Sequence, residues 1–394
     1  MGAFCPRSHS SHLSRCGMRE TAAPKEKEKK TSREATLKKK EFVTVMEPIQ
    51  QTSQTKKLLF FFLLQAMLLM LFFTSFKLNT NDNEKVSTSR NVTDAPDEPV
   101  KIILLWTWPF GFRFPLNQCP PPLNKGCFFT ANRSLYSSAD AVVLHHRDVC
   151  NSREQLPNIP RPKKQYWIWF NLESPSHCPN LNLMDNLINL TMSYRVDSDI
   201  FTPYGRLLNN DGSKNFTIPE KTNLSAWAIS NWNPQSRRVQ YYEDLKNYLP
   251  IDVYGRLHKP LPNDNLLDTL STYKFYLAFE NSIHQDYITE KLWVNAITSG
   301  AVPVVMGPPR ENYERFIPPE SFIHVDDFST AQELAAYLLE LDKDDKRYQE
   351  YFNWRSSLDP APEIPWVPHY CKICRALKEA PPYQTIPSIA KWFK

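Results

Sequence analysis

Residues 286–293, DYITEKLW, put Glu290 next to Lys291 just after an apolar segment, and Arg237 and Arg238 follow another such segment. Cationic side chains placed after strand ends and at helix starts suit an anion. The orphan N–H groups and positive dipole end of a helix add to the same attraction. Arg is the better fork for a diphosphate, and Lys the compact point charge. Glycine is scarce, at 9 of 394 residues, and neither G-x-G-x-x-G nor a Walker loop is present. Phosphate would therefore be held by side chains rather than by a glycine-rich cradle. Glu173 follows the aromatic run Tyr166-Trp167-Ile168-Trp169-Phe170 in the turn Asn171-Leu172-Glu173-Ser174. A carboxylate at such an edge can serve as a general base, and burial would raise its pKa toward working pH. His145 and His146 are alternative bases or metal ligands, although neighbours on a strand face opposite ways. Asp197-Ser198-Asp199 could hold Mg²⁺ or Mn²⁺ against a nucleotide diphosphate, or be structural.

The elements that carry these residues alternate. Short apolar runs at 102–106, 141–144 and 166–170 each end in a polar or Pro-marked cluster, as strands buried on both faces do. A second block repeats the pattern at 224–229, 251–254, 274–279, 302–306 and 322–325, with an amphipathic helix over 330–341. The strand at 274–279 runs into Glu280, Asn281 and Ser282. Asp286 is then expected to cap a helix whose face carries Ile288, Leu292 and Ala296, with Gly300 at its end. The two blocks predict an α/β architecture of two Rossmann-like domains facing across a cleft, divided near the polar, loop-like stretch 207–221.

The net charge of +5 is unevenly spread: residues 1–57 hold 13 Lys and Arg against 6 acids, and the rest of the chain is slightly acidic. The basic excess thus belongs to a tail and gives no argument for nucleic-acid binding. Residues 58–76 carry no charge and, at about 1.5 Å per residue, span about 28 Å, which predicts one membrane-crossing helix. Basic residues before it keep the N-terminus cytosolic and place everything after it in a lumen or outside the cell. Five sequons follow the span, at Asn91, Asn132, Asn189, Asn215 and Asn223, and none precedes it. Residues 77–99 read as a polar stem. Six cysteines beyond the span, Cys119, Cys127, Cys150, Cys178, Cys371 and Cys374, allow fifteen complete pairings. One C-x-x-C at 371–374 argues for a disulfide framework there rather than zinc.

YKFYLAFENS at 273–282 and DYITEKLW at 286–293 are followed by AVPVVMGPPRENYERF at 301–316 and FIHVDDF at 322–328. NLTMSYR at 189–195, DSDIFTPYGRL at 197–207, AWAISNWNP at 226–234, and the C-terminal CKIC and SIAKWF complete a set that extends past residue 99 to the end. With these motifs the chain resembles the Golgi α1,3/4-fucosyltransferases of the Lewis type, glycosyltransferase family 10. The resemblance implies an inverting enzyme of GT-B type that moves L-fucose from GDP-β-L-fucose to O3, and in some members O4, of GlcNAc in lactosamine-type glycans, with no obligatory metal. It implies a single-pass type II Golgi membrane protein with a lumenal catalytic part. The domains expected are a tail (1–57), a signal-anchor (58–76), a stem (77–99), an acceptor domain (100–215), a GDP-fucose domain (216–357) and a segment packing back on the acceptor domain (358–394).

By the same resemblance Glu173 is the base that deprotonates the acceptor. Arg238 and Lys291 neutralise the diphosphate, with Ser174, Tyr204, Ser230, Asn231, Tyr276, Asn281, Tyr287 and Glu290 around the donor. Phe112 and Arg147 lie on the acceptor side, and Arg at 147 goes with type 2 acceptors. Cys119 and Cys127 pair with Cys371 and Cys374, and Cys178 resembles a free thiol near the donor. The competing readings are a metal-dependent glycosyltransferase using Asp197 and Asp199, and a catalytically silent membrane lectin.

Overall fold

A computed structural model describes residues 99–394, apart from 121, 122, 124, 213, 214, 262–264 and 364–366. The expected tail, membrane span, stem and Asn91 sequon lie outside the described residues. No helix among the described residues is long and apolar enough to cross a membrane.

The first sheet has six strands, all pairs parallel, in the order β2-β1-β3-β4-β5-β6. These are β1 Lys101–Leu105, β2 Cys127–Thr130, β3 Ala141–His145, β4 Tyr166–Asn171, β5 Leu190–Ser193 and β6 Ile200–Phe201. All of β3 is buried and all of β4 except Tyr166, as a parallel sheet covered on both faces requires. The C-terminal helices Val367–Lys378 and Ile389–Phe393 bury Tyr370, Ile373, Ile389 and Phe393 in the same core. Disulfides Cys119–Cys371 and Cys127–Cys374 tie the first of these helices to the N-terminal strand region, while Cys150 and Cys178 are free and buried.

The second sheet is also parallel, ordered β12-β11-β10-β8-β9. Its strands are β8 Asn223–Ala228, β9 Asp252–Tyr254, β10 Tyr273–Phe279, β11 Val302–Met306 and β12 Ile323–His324. Alternation in β10 sends Phe275, Leu277 and Phe279 to a core with helices α1 (Arg237–Leu245) and α2 (Ala331–Leu341). Tyr276 and Ala278 pack on the other side with Leu292, Trp293 and Ala296.

Two expectations are corrected. The stretch at 207–221 is not wholly loop: β7 Gly205–Asn209 pairs antiparallel with β13 Leu358–Pro362, where the chain crosses between the sheets and returns. Gly205 is required there, since an added Cβ would sit 2.4 Å from the Trp293 ring. The segment after β10 is also not an α-helix capped by Asp286. Asp286 has φ 61°, and its carboxylate accepts from Val196 N at 3.0 Å, Asn312 Nδ2 at 2.7 Å and Arg315 Nη1 at 3.1 Å. With that side chain spent on bracing, Ile288 precedes the helix, which starts at Lys291 and is a π-helix to Thr298. Gly300 ends it with φ 76°, as expected.

Candidate active site

The C-terminal ends of β4, β8 and β10 supply the site. Beyond β4, Asn171 Nδ2 donates to Glu173 O at 2.7 Å and fixes the turn that carries the Glu173 carboxylate. Two contacts bind this turn to the segment after β10. The Ser174 and Ser282 hydroxyls are hydrogen-bonded at 2.6 Å, and Ser176 Oγ meets His284 Nε2 at 2.7 Å. Asn281 Oδ1 lies 2.9 Å from Ser282 Oγ, so the expected donor residues Ser174 and Asn281 share one chain of hydrogen bonds.

The two cations differ in their partners. Arg238, on the first turn of α1, is 6 % exposed; its guanidinium donates to Asn231 O at 2.8 Å and more weakly to Phe279 O at 3.4 Å. Its buried Nε has no partner, and among the described residues no carboxylate lies within ion-pair distance of it. Burial lowers its pKa, against the pull of Glu280. Its neighbour Arg237 is exposed and pairs with Asp326. Lys291, by contrast, is clamped: Nζ lies 3.1 Å from Glu280 Oε2, 3.1 Å from Glu290 Oε1 and 2.8 Å from Thr289 Oγ1. Burial disfavours its ammonium, but the two carboxylates override that and push its pKa up. Burial also opposes the charge on Glu290, yet Lys291 beside it holds that carboxyl below the usual range.

The aromatic expectations fall around the same place. Tyr204 donates to Leu172 O at 2.6 Å, and its ring meets Tyr287, which also packs on Tyr194. The charges of Glu173, Glu280 and Glu290 all reach Tyr204 and Tyr287. Tyr276 is fully buried, accepts from Asn295 Nδ2 at 2.9 Å, and has its pKa pushed up to about 12 by burial. Ser230 and Asn231 are exposed after β8. Of the two residues expected on the acceptor side, Phe112 is 57 % exposed, and Arg147 donates to His177 O at 3.0 Å.

Residues named for other roles are committed elsewhere. His146 is fully buried with both ring nitrogens engaged, by Pro179 O and Trp169 Nε1, and burial lowers its pKa to about 4. His145 is also buried, with Nδ1 2.6 Å from Asp148. Neither is placed to act as an accessible base. Asp197 pairs with Arg195 at 2.6 Å, and Asp199 accepts from Thr191 N and Oγ1, both at 2.7 Å. Among the described residues no group of three or more His, Cys, Asp or Glu is poised to hold a metal. The Cys178 thiol is pushed up to about 12 by burial and is hydrogen-bonded to Asn171 Oδ1 at 3.5 Å. Of the expected glycan sites, Asn189 is 4 % exposed; its amide donates to Gln384 O at 2.6 Å, and its oxygen accepts from Trp167 N at 2.7 Å and from Arg161. Asn132, Asn215 and Asn223 are exposed.

Sequence reasoning gave no role to His177 or Glu280. His177 Nδ1 is 3.0 Å from Ser174 Oγ; burial lowers its pKa, and the charges of Glu173, Arg238, Arg147 and Lys291 all reach its ring.

Residues 98–205 match the family described as Fucosyltransferase, N-terminal, and residues 218–392 match Glycosyltransferase family 10 (fucosyltransferase) C-term. The chain belongs to glycosyltransferase family 10, the fucosyltransferases. It is 55 % identical over 307 residues to the 4-galactosyl-N-acetylglucosaminide 3-alpha-L-fucosyltransferase FUT6 of Pongo pygmaeus, covering 76 % of this chain and 85 % of the relative. It is 52 % identical over 313 residues to the human 3-galactosyl-N-acetylglucosaminide 4-alpha-L-fucosyltransferase FUT3, covering 78 % and 86 %. A crystal structure of an alpha1,3-fucosyltransferase with GDP-fucose aligns with TM-score 0.46 and 16 % identity, covering 76 % of this chain and 96 % of that one. In this family 10 chain, then, the hydrogen bonds from Ser174 to Ser282 and on to Asn281 join the turn after β4 to the segment after β10.

Proposed function

We propose that this glycosyltransferase moves L-fucose from GDP-β-L-fucose to O3 of GlcNAc in type 2 lactosamine chains of glycoproteins and glycolipids, with inversion, and to O4 on type 1 chains where these are accepted. The observation that carries the reading is the Ser174–Ser282 hydrogen bond, which holds the Glu173 turn against the segment leading to Lys291. Relatives named for 3- and 4-fucosyl transfer to galactosyl-N-acetylglucosaminides support the acceptor class. Glu173 takes the proton of the acceptor hydroxyl as that oxygen bonds to fucose C1. The C1–O bond to GDP breaks on the opposite face, and Arg238 and Lys291 take up the charge left on the diphosphate. GDP is a good leaving group, so one carboxylate and two cations are enough where a glycosidase needs an acid and a base. Arg147, which donates to His177 O at 3.0 Å just beyond the Glu173 turn, would meet the acceptor and favour type 2 chains. The two parallel sheets are the halves of a GT-B enzyme, anchored through residues 58–76 in the Golgi membrane with the catalytic part lumenal, and needing no metal. Incubating the full chain with GDP-fucose and type 1, type 2 or sialylated lactosamine, with and without EDTA, tests this. GDP release that requires acceptor and survives EDTA supports the reading; release that needs a divalent cation or ignores the acceptor refutes it.

A further inference from the structure

The ammonium of Lys291 is already spoken for. Glu280 is 4 % exposed at the end of β10, and its carboxylate accepts from Thr289 N at 2.8 Å and Thr289 Oγ1 at 2.9 Å as well as lying 3.1 Å from Lys291 Nζ. Glu290 lies at the same distance from that nitrogen. Counting Arg238, the set has two positive and two negative charges; Glu280 and Arg238 are buried, Lys291 is nearly so, and Glu290 is part-exposed. A sugar-nucleotide donor would therefore bring two more negative charges to a neutral set rather than to a doubly positive one. The cost of desolvating like charges together is large, and the usual remedy is that one group changes protonation.

Among the carboxylates here, Glu280 and Glu290 are not equal. Glu290 stands half-exposed at the start of the π-helix, whereas Glu280 is sealed between β10, β11 and the π-helix approach. The charged or titratable groups facing Glu280 are Lys291, Glu290 and Tyr287 from that approach, Arg238 from α1, Tyr313 from the short helix Arg310–Tyr313, and Tyr204 from the crossover. Burial raises the Glu280 pKa, Lys291 opposes the rise and Glu290 adds to it.

Resting on the proposed donor, we infer that Glu280 is a positioning residue that takes up one proton from solvent when GDP-fucose binds, freeing Lys291 to pair with the diphosphate. The neutral acid keeps its carbonyl oxygen as acceptor for Thr289 N, so the π-helix start stays in place. Release of GDP reverses the exchange. Donor affinity then falls as pH rises, by up to about tenfold per pH unit where free Glu280 is ionised and the bound form is not.

Calorimetric titration of the full chain with GDP-fucose, without acceptor, between pH 6 and 8 tests this in buffers of differing ionisation enthalpy. GDP itself is unsuitable, because a terminal phosphate titrates near pH 6 on its own. The expected result is uptake of about one proton per donor bound, lost in Glu280→Gln, whose affinity no longer depends on pH. Thr289→Val removes a donor to the carboxylate and should move the linkage to higher pH, which gives a second readout if Glu280→Gln does not fold. Binding without proton uptake, or uptake that persists in Glu280→Gln, overturns the inference while leaving the donor reading intact. Absence of any GDP-fucose binding overturns both.

Discussion

Replacing Arg238 by Met should separate donor binding from folding. In the free protein the guanidinium has one good carbonyl partner at 2.8 Å, one weak partner at 3.4 Å and a buried Nε without any. A cation desolvated to 6 % exposure with no carboxylate beside it costs the fold several kcal/mol. A diphosphate supplies the missing counter-charge. Two charge-assisted bonds at about 1.5–3 kcal/mol each would contribute about 3–6 kcal/mol, or about 10² to 10⁴ in affinity. Arg238→Met should therefore raise the Kd for GDP-fucose at least about 10²-fold, while its melting temperature stays level or rises as an apolar chain replaces a buried charge. Arg238→Lys should recover part of the affinity, keeping the charge and losing the fork. Calorimetry and thermal melts of the three proteins decide the matter. Affinity of Arg238→Met within about threefold of the parent, or a large loss of stability, would show that Arg238 is a structural cation and refute the reasoning.

Three further outcomes are expected. His146 titrates near 4 in the fold against about 6.5 unfolded. The unfolded chain therefore binds the proton more readily, and stability falls as pH drops from about 6.5 to 4, by about 3 kcal/mol for this group. His146→Gln should flatten that part of a urea-melt series across pH, and an unchanged pH dependence would contradict the assignment. Asn189→Gln should leave electrophoretic mobility and glycosidase sensitivity unaltered while destabilising the chain by about 1–3 kcal/mol for each buried partner left unpaired; a lost glycan band would contradict the buried placement. Removing Cys119–Cys371 alone should cost about 3 kcal/mol, because Cys127–Cys374 still closes nearly the same span, whereas removing both frees a separation of 247 residues and costs far more. Equal denaturant midpoints for the single and double variants would contradict this.

The parallel strands were legible because each is a short apolar run: 141–144, 166–170 and 302–306 recur in β3, β4 and β11 with at most small shifts at the ends. The β7–β13 ribbon was not, since β7 is largely exposed with its two leucines adjacent and β13 carries two prolines, so neither shows a period-two apolar face. Nor does a sequence signal the wider turn of a π-helix; Lys291–Thr298 has the apolar spacing of an α-helix, and its geometry follows from Trp293 packing over Gly205 and from Asp286 being drawn to Val196, Asn312 and Arg315. Glu173, Lys291 and the pair Arg237 and Arg238 stood out by residue type and place after strands, and the family resemblance singled out Arg238. Glu280 and His177 did not, because Thr289 and Lys291 clamp Glu280 only once the segment after β10 folds back, and Arg238 and Lys291 reach His177 only in the folded chain. Asn189 fitted the sequon pattern but not the surface, because burial is a property of the fold.

If Glu173 strips the acceptor while Arg238 and Lys291 answer the departing nucleotide, losing the Glu173 carboxylate should slow the chemistry and spare donor binding. The direct measurement is turnover and donor affinity of Glu173→Gln beside the parent chain, with GDP-fucose and type 2 lactosamine, reading product linkage by NMR. The parent should give α-linked fucose on O3 of GlcNAc, and the variant should turn over about 10² to 10⁴-fold more slowly with GDP-fucose affinity nearly unchanged. Parent-like turnover in Glu173→Gln, or a matching loss of donor affinity, would contradict that division of roles.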